Sequence, residues 1–162
     1  MSDETYLVTA EEIAAMQGLE KTHFLNQNAR RINKSLGDLT GLTGIGFHIV
    51  EVEPGCQTTE FHMHYHEDEA VYILSGTATA EIGDEKFSVK AGDFIGYRKG
   101  GKAHTLHNTG DETLRAIVVG ERLAQYVGDY PHLNKRLYRQ KGLKANLVDM
   151  ADITEPVVGA KK

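Results

Sequence analysis

The sequence holds a single cysteine, Cys56, among its 162 residues, so no intramolecular disulfide can form. No apolar run approaches the roughly 20 residues that a bilayer-spanning helix needs. The opening Met-Ser-Asp-Glu-Thr-Tyr lacks the basic stretch and apolar core of a secretory signal, so a cytoplasmic protein is expected. Positive charge is scarce: 18 Lys and Arg stand against 23 Asp and Glu, a net charge of −5. An acidic surface repels phosphate backbones and anionic headgroups, which argues against nucleic acid or membrane as partner. There is no helix-turn-helix pattern, internal repeat, low-complexity tract or linker. One domain of this length buries about two-thirds of its unfolded surface without cross-links.

Histidine, by contrast, is concentrated. Five of the eight fall in two short segments. In Glu60–Glu69, His62, His64 and His66 alternate with Phe61, Met63 and Tyr65. On a strand, the period of two turns all three imidazoles to one face. Glu69 follows just before the apolar run Ala70–Leu74. The second segment holds His104 and His107. His104 opens an expected strand behind the loop Arg98–Lys102, whereas His107 would point away and reads as a surface or outer residue. Imidazoles and a carboxylate on one face suit a divalent transition metal. The candidate ligands are His62, His64, Glu69 and His104, and the set suits Zn, Mn, Fe or Ni without choosing among them. Cys56 could add a thiolate but reads better as a small buried hydrophobe at a strand start.

From Gly44 onward, short β-forming runs are broken by turns: Ile45–Glu53 before Pro54-Gly55, His62–Tyr65, Glu69–Leu74 before Ser75-Gly76, and Thr77–Ile82 with Glu85–Val89 around Gly83-Asp84. Phe94–Tyr97, His104–His107 and Thr113–Val119 follow, then Arg136–Arg139 and Asn146–Met150. Many short strands with regular turns indicate an all-β sandwich or barrel. The expected organisation is an N-terminal extension over 1–43, a barrel over 44–125, and C-terminal strands and tail over 126–162, frayed from Pro156. Within the extension, Thr9 and Glu12 form a capping box for a short helix Ala10–Gln17 that stops at Gly18. His23–Leu25 reads as a brief edge strand and Asn28–Leu42 as a loop-rich segment. Leu19, Phe24, Leu25, Ile32, Leu36, Leu39 and Leu42 show no amphipathic period, so a partner chain is expected to cover them, giving a homodimer.

These residues resemble the cupin superfamily, and in particular its small single-domain members of the mannose-6-phosphate isomerase-like type. Pro54-Gly55, His62-Met63-His64, Glu69 and Gly76 fit the first cupin motif, with one extra residue between Gly55 and His62. Gly92, Gly100, His104 and Asn108 fit the second, with Arg98 where proline is usual and one residue inserted before His104. The resemblance implies a double-stranded β-helix, or jelly-roll, barrel holding one divalent metal on His62, His64, Glu69 and His104. It leaves His66 off the metal, since Glu69 lies at the family distance from His64. An isomerase would then draw its base from His66 or Glu60, which share the ligand parity. Arg98 and Lys102, at the expected barrel mouth, would hold a phosphate or carboxylate of a small-molecule substrate. An Fe(II) dioxygenase and a non-enzymatic metal or small-ligand binding module remain as alternatives on the same scaffold.

Overall fold

Val50, Val52, Val71, Ile73, Leu114 and Ala116 are each at most 4% exposed and alternate with more open neighbours, as on strands with one face against a core. The computed structural model describes residues 5–157 and 159; the ends of the expected N-terminal extension and of the tail beyond Pro156 lie outside them. The chain begins with α1 (Ala10–Ala15), β1 (Leu19–His23), β2 (Asn26–Ser35), α2 (Leu36–Leu39) and β3 (Ile45–Val52). It continues through β4 (Met63–His64), β5 (Glu69–Ser75), β6 (Thr77–Ile82), β7 (Glu85–Lys90) and β8 (Phe94–Tyr97). The last strands are β9 (His104–His107), β10 (Leu114–Glu121), β11 (Gln125–Tyr130), β12 (Lys135–Gln140) and β13 (Asn146–Asp149).

The strands form a six-stranded sheet in the order β1-β2-β3-β10-β5-β8, a three-stranded sheet β7-β6-β9 and a four-stranded sheet β13-β12-β11-β4. All pairings are antiparallel. The inner faces of the first two meet in one apolar cluster that includes Val52, Val71, Ile73, Ala80, Leu106 and Leu114. This is an all-β jelly-roll barrel with a short N-terminal helix. Burial of a side chain such as Ile73 or Leu114 contributes about 1.5–3 kcal/mol. Cys56 belongs to this core and is 3% exposed.

The turns follow from local chemistry. Gly76 joins β5 to β6 with φ +84°, and a Cβ there would sit 3.0 Å from the Leu114 Cα, so only glycine fits without strain. Ile82 pairs directly with Glu85, which makes Gly83-Asp84 a two-residue hairpin loop. Asn108 is wholly buried: its Nδ2 donates to the Val52 and Glu112 carbonyls at 2.8 Å, and its Oδ1 accepts from the Gly110 amide at 3.0 Å. It thereby ties the β9–β10 connection to the end of β3.

The N-terminal segment departs from the sequence-based expectation. The capping box forms, with the Glu12 amide donating to Thr9 Oγ1 and the Thr9 amide to the Glu12 carboxylate, but the helix ends at Ala15. Of the expected edge strand at His23–Leu25, His23 is the last residue of β1 and Phe24-Leu25 form the turn after it, and the expected loop over 28–42 is largely the ten-residue strand β2 followed by α2. The reason is that β2 shows no apolar alternation: one face carries Arg31 and Asn33 into a polar cavity. Among the described residues, no helix is long and apolar enough to cross a membrane.

Candidate metal centre

Backbone pairing brings the histidines together. His62 and His104 form an antiparallel bridge, with amide-to-carbonyl distances of 3.1 and 2.8 Å in the two directions. Directly opposed residues share a face, and the two ring centroids lie 4.7 Å apart. His64 follows on β4, which is held by β11 through the pairing of His64 with Gly128. An adjoining lock comes from Asp129, which accepts from Arg136 Nε at 2.6 Å and from Tyr65 Oη at 2.9 Å. Ligating nitrogens of His62, His64 and His104 all lie within 4.8 Å of one another.

The proton positions follow from the outer hydrogen bonds. His62 Nδ1 lies 2.8 Å from the Glu60 carbonyl and His104 Nδ1 lies 3.3 Å from the Lys102 carbonyl. A carbonyl only accepts, so each Nδ1 carries the proton and each Nε2 keeps its lone pair. These lone pairs converge. His62 Nε2 lies 3.0 Å from His64 Nε2, and His104 Nε2 is buried with no hydrogen-bond partner. The Glu69 carboxylate closes the group, 3.8 Å from His64 Nε2 and 3.6 Å from His104 Nε2. Two ligands on arms of about 2.1 Å are about 3.0 Å apart at a right angle and about 3.4 Å apart at the tetrahedral angle. The histidine pair falls in that range, the Glu69 distances lie a few tenths of an ångström beyond it, and with the orphaned nitrogen the set can close on a divalent ion.

Burial reinforces the neutral state of the imidazoles. It lowers the His62 pKa from 6.5 to about 3, helped by the His64 and His104 charges. Burial lowers that of His64 as well. For Glu69, burial acts to raise the pKa, but the three neighbouring imidazoles, His104 foremost, outweigh it and bring the value to about 2. Neutral imidazoles and an ionised carboxylate are the ligand forms that metals take.

The group lines a cavity of about 390 Å³ whose wall includes Arg31, His23, His48, Glu67, Tyr126 and Tyr130. Burial raises the Glu67 pKa, while the Leu123 amide and Arg139 oppose the shift. Burial pushes the Tyr130 phenol up to about 12, with Glu60 adding to the shift, and moves Tyr126 upward too. Both tyrosines thus remain protonated donors near neutral pH.

Other residues singled out in the sequence lie elsewhere. His66 is exposed and absent from the cavity wall, because β4 ends at His64 and the period of two lapses in the bend that follows. The Glu60 carboxylate is turned aside to accept from Asn26 Nδ2 at 2.7 Å; only its backbone carbonyl serves the site. Arg98 and Lys102 line a separate, more open depression with Asp68, Ile82 and Gly96, and Glu69 and Tyr97 border both spaces. Lys102 is paired with Glu85 at 2.8 Å on the surface. His107 bonds the Gly55 carbonyl at 3.1 Å. The residues that pattern reading missed, Arg31, His23 and His48, sit on β1–β3, where no motif marks them.

Comparison with known proteins places this architecture. Residues 48–120 match the Cupin_2 family, a cupin domain. A solved structure from Acidithiobacillus ferrooxidans, provisionally named a sugar phosphate isomerase, is 49% identical over 93% of this chain and 96% of its own, with a TM-score of 0.90. The chain belongs to the cupin superfamily. A cupin-superfamily sugar phosphate isomerase from Silicibacter pomeroyi shares the fold at 19% identity, with a TM-score of 0.77 over 90% of this chain and 95% of its own. An uncharacterized protein of Methanocaldococcus jannaschii is 35% identical over 66 residues, 41% of this chain. The cupin described here spans about half, 52%, of the length of that relative.

The family model covers the histidine group but leaves out β1 and β2. In this cupin those two strands supply Lys21, His23, Arg31 and Asn33 to the cavity wall. The barrel thus brings the histidine group, inside the matched region, against a wall that lies outside it, and specificity can reside there.

Proposed function

We propose that this cupin is a metal-dependent enzyme of the sugar phosphate isomerase type, acting on a small polar, phosphorylated or carboxylated substrate within the barrel. The observation that carries the reading is the convergence of the His62, His64 and His104 nitrogens inside a half-open cavity lined by charged, polar and apolar side chains. His62, His64, Glu69 and His104 would hold one divalent ion. When bound, such an ion polarises adjacent carbonyl and hydroxyl oxygens of a substrate, the activation that an aldose–ketose interconversion requires.

The chain's own groups supply the rest. Tyr126 and Tyr130 present protonated hydroxyls for orienting substrate oxygens. His23 Nδ1 accepts from the Leu25 amide at 3.2 Å, so its other nitrogen bears the proton and faces Tyr130 Oη at 3.5 Å. The phenol proton is then free to point to a ligand. Val50, Val71 and Leu106 line the inner cavity and exclude water around the reacting atoms. The likeness to the Acidithiobacillus protein supports the same reaction class. The homodimer belongs to this reading as well: Leu19, Phe24, Leu39 and Leu42 are 45–61% exposed on the single chain, and β1 terminates its sheet among the described residues.

The test combines elemental analysis of untagged protein with proton NMR of aldose phosphates in deuterated water. Bound metal with deuterium entering next to the carbonyl carbon is expected. Oxygen uptake with Fe(II) and no isomerisation would replace this reading with a dioxygenase. Metal uptake with neither activity would leave a binding module.

A further inference from the structure

The cations around the cavity divide into two groups. Arg122 is paired with Asp38 and Arg139 with Glu67. Arg31 and Lys21 have no carboxylate within ion-pair distance among the described residues. Both line the cavity that holds the histidine group. They are direct partners across the β1–β2 ladder, so their side chains emerge on one face. Arg31 is anchored by Nη1 donating to the Thr58 carbonyl, while its Nε is buried and has no acceptor. A desolvated guanidinium with an unmet donor is costly to retain unless an anion completes it.

We propose that Arg31 and Lys21 form the subsite for the phosphate monoester of the substrate, with the reacting end of the molecule lying at the His62–His64–His104 group. The second half of the statement rests on the metal-enzyme reading; the anion subsite stands on the two cations alone. A phosphate monoester suits the pair because its near-double negative charge meets two positive charges. Its several acceptor oxygens can take the planar donors of arginine and the point charge of lysine together. The cavity volume falls within the range for small-molecule sites. On this placement Arg98 and Lys102 take no part in the subsite: they open onto the other depression, and Lys102 is paired with Glu85.

Calorimetric titration of the full-length protein with inorganic phosphate, before and after zinc loading, tests the assignment. Wild type is expected to bind phosphate more tightly than acetate. Arg31→Gln should weaken phosphate binding by about ten- to hundredfold, the size of one lost charge-assisted hydrogen bond. Lys21→Gln should weaken it by about two- to fivefold, as for a half-buried charge that solvent still screens, and Arg98→Gln and Lys102→Gln should not change it. Circular dichroism checks each variant; if Arg31→Gln does not fold, Lys21→Gln decides alone. Absence of phosphate binding by wild type, acetate bound as tightly, or unchanged affinity in Lys21→Gln overturns the subsite. Zinc content is read in parallel. Phosphate bound without zinc uptake defeats the metal-enzyme reading and leaves the subsite standing, and zinc uptake without phosphate binding does the reverse.

Discussion

The Tyr97 ring lies flat on the imidazole of His104, with centroids 3.6 Å apart and planes 6° from parallel. Tyr97 ends β8 and His104 opens β9, so the loop between them returns the chain to stack one strand end on the next. The stack holds the His104 ring in the plane that aims Nε2 at the other two histidines, while the Tyr97 hydroxyl is buried without a partner.

Two replacements at Tyr97 therefore separate. Tyr97→Leu keeps bulk but loses the flat ring, and metal affinity should fall by about tenfold, the lower end for losing an orienting neighbour. Tyr97→Phe keeps the stack and removes an unsatisfied hydroxyl, so affinity should hold and stability rise by about 1 kcal/mol. Competition with a chelator and urea unfolding read the two quantities. Equal affinity loss in both variants would show that the hydroxyl, not the stack, matters.

His104→Ala should lower metal affinity by more than about a hundredfold, beyond the cost of losing an outer partner alone. The β-sheet signal should persist, because Val52, Ile73 and Leu114 pack in an apolar cluster that contains none of the four candidate ligands. Metal content and circular dichroism on the same sample decide. Loss of the fold would make the metal structural and remove the main support for a catalytic role.

His23 makes stability depend on pH. Burial, then the Arg31 charge, lowers its pKa from 6.5 to about 4. Between those values the unfolded chain binds a proton that the folded chain does not. The stabilisation is complete above pH 6.5 and is lost as pH falls toward about 4. Melting temperatures at about pH 7.5 and about pH 5 should drop further in wild type than in His23→Gln. The same drop in both would assign the acid sensitivity to other groups.

Self-association is the remaining prediction. Light scattering of the full chain at micromolar concentration should give twice the monomer mass, and the double variant Leu39→Glu, Leu42→Glu should shift it toward monomer. A monomeric wild type rejects the dimer whatever the variant does.

Much of the fold could be read in the residues because the signals are local. Apolar alternation marks β3, β5 and β10, Gly83-Asp84 marks a hairpin, and Gly76 marks a turn that a Cβ would obstruct. β2 was illegible for the opposite reason: Arg31 and Asn33 face a polar cavity, so the strand carries no apolar period. At the site, the spacing of His62, His64 and His104 singled them out. The parity argument failed at His66 because it presumes a strand longer than the two residues of β4.

By itself the sequence determined the all-β class, the turn positions and the residues able to ligate a metal, since each depends on side-chain type and short-range spacing. Only the tertiary structure decided which face Lys21 and Arg31 share, that Tyr97 lies on His104, and that Arg98 and Lys102 border a different depression. Those relationships arise from pairings between strands far apart in the chain. Nothing in the spacing of two distant segments specifies their register, and a shift of one residue would turn every side chain to the opposite face.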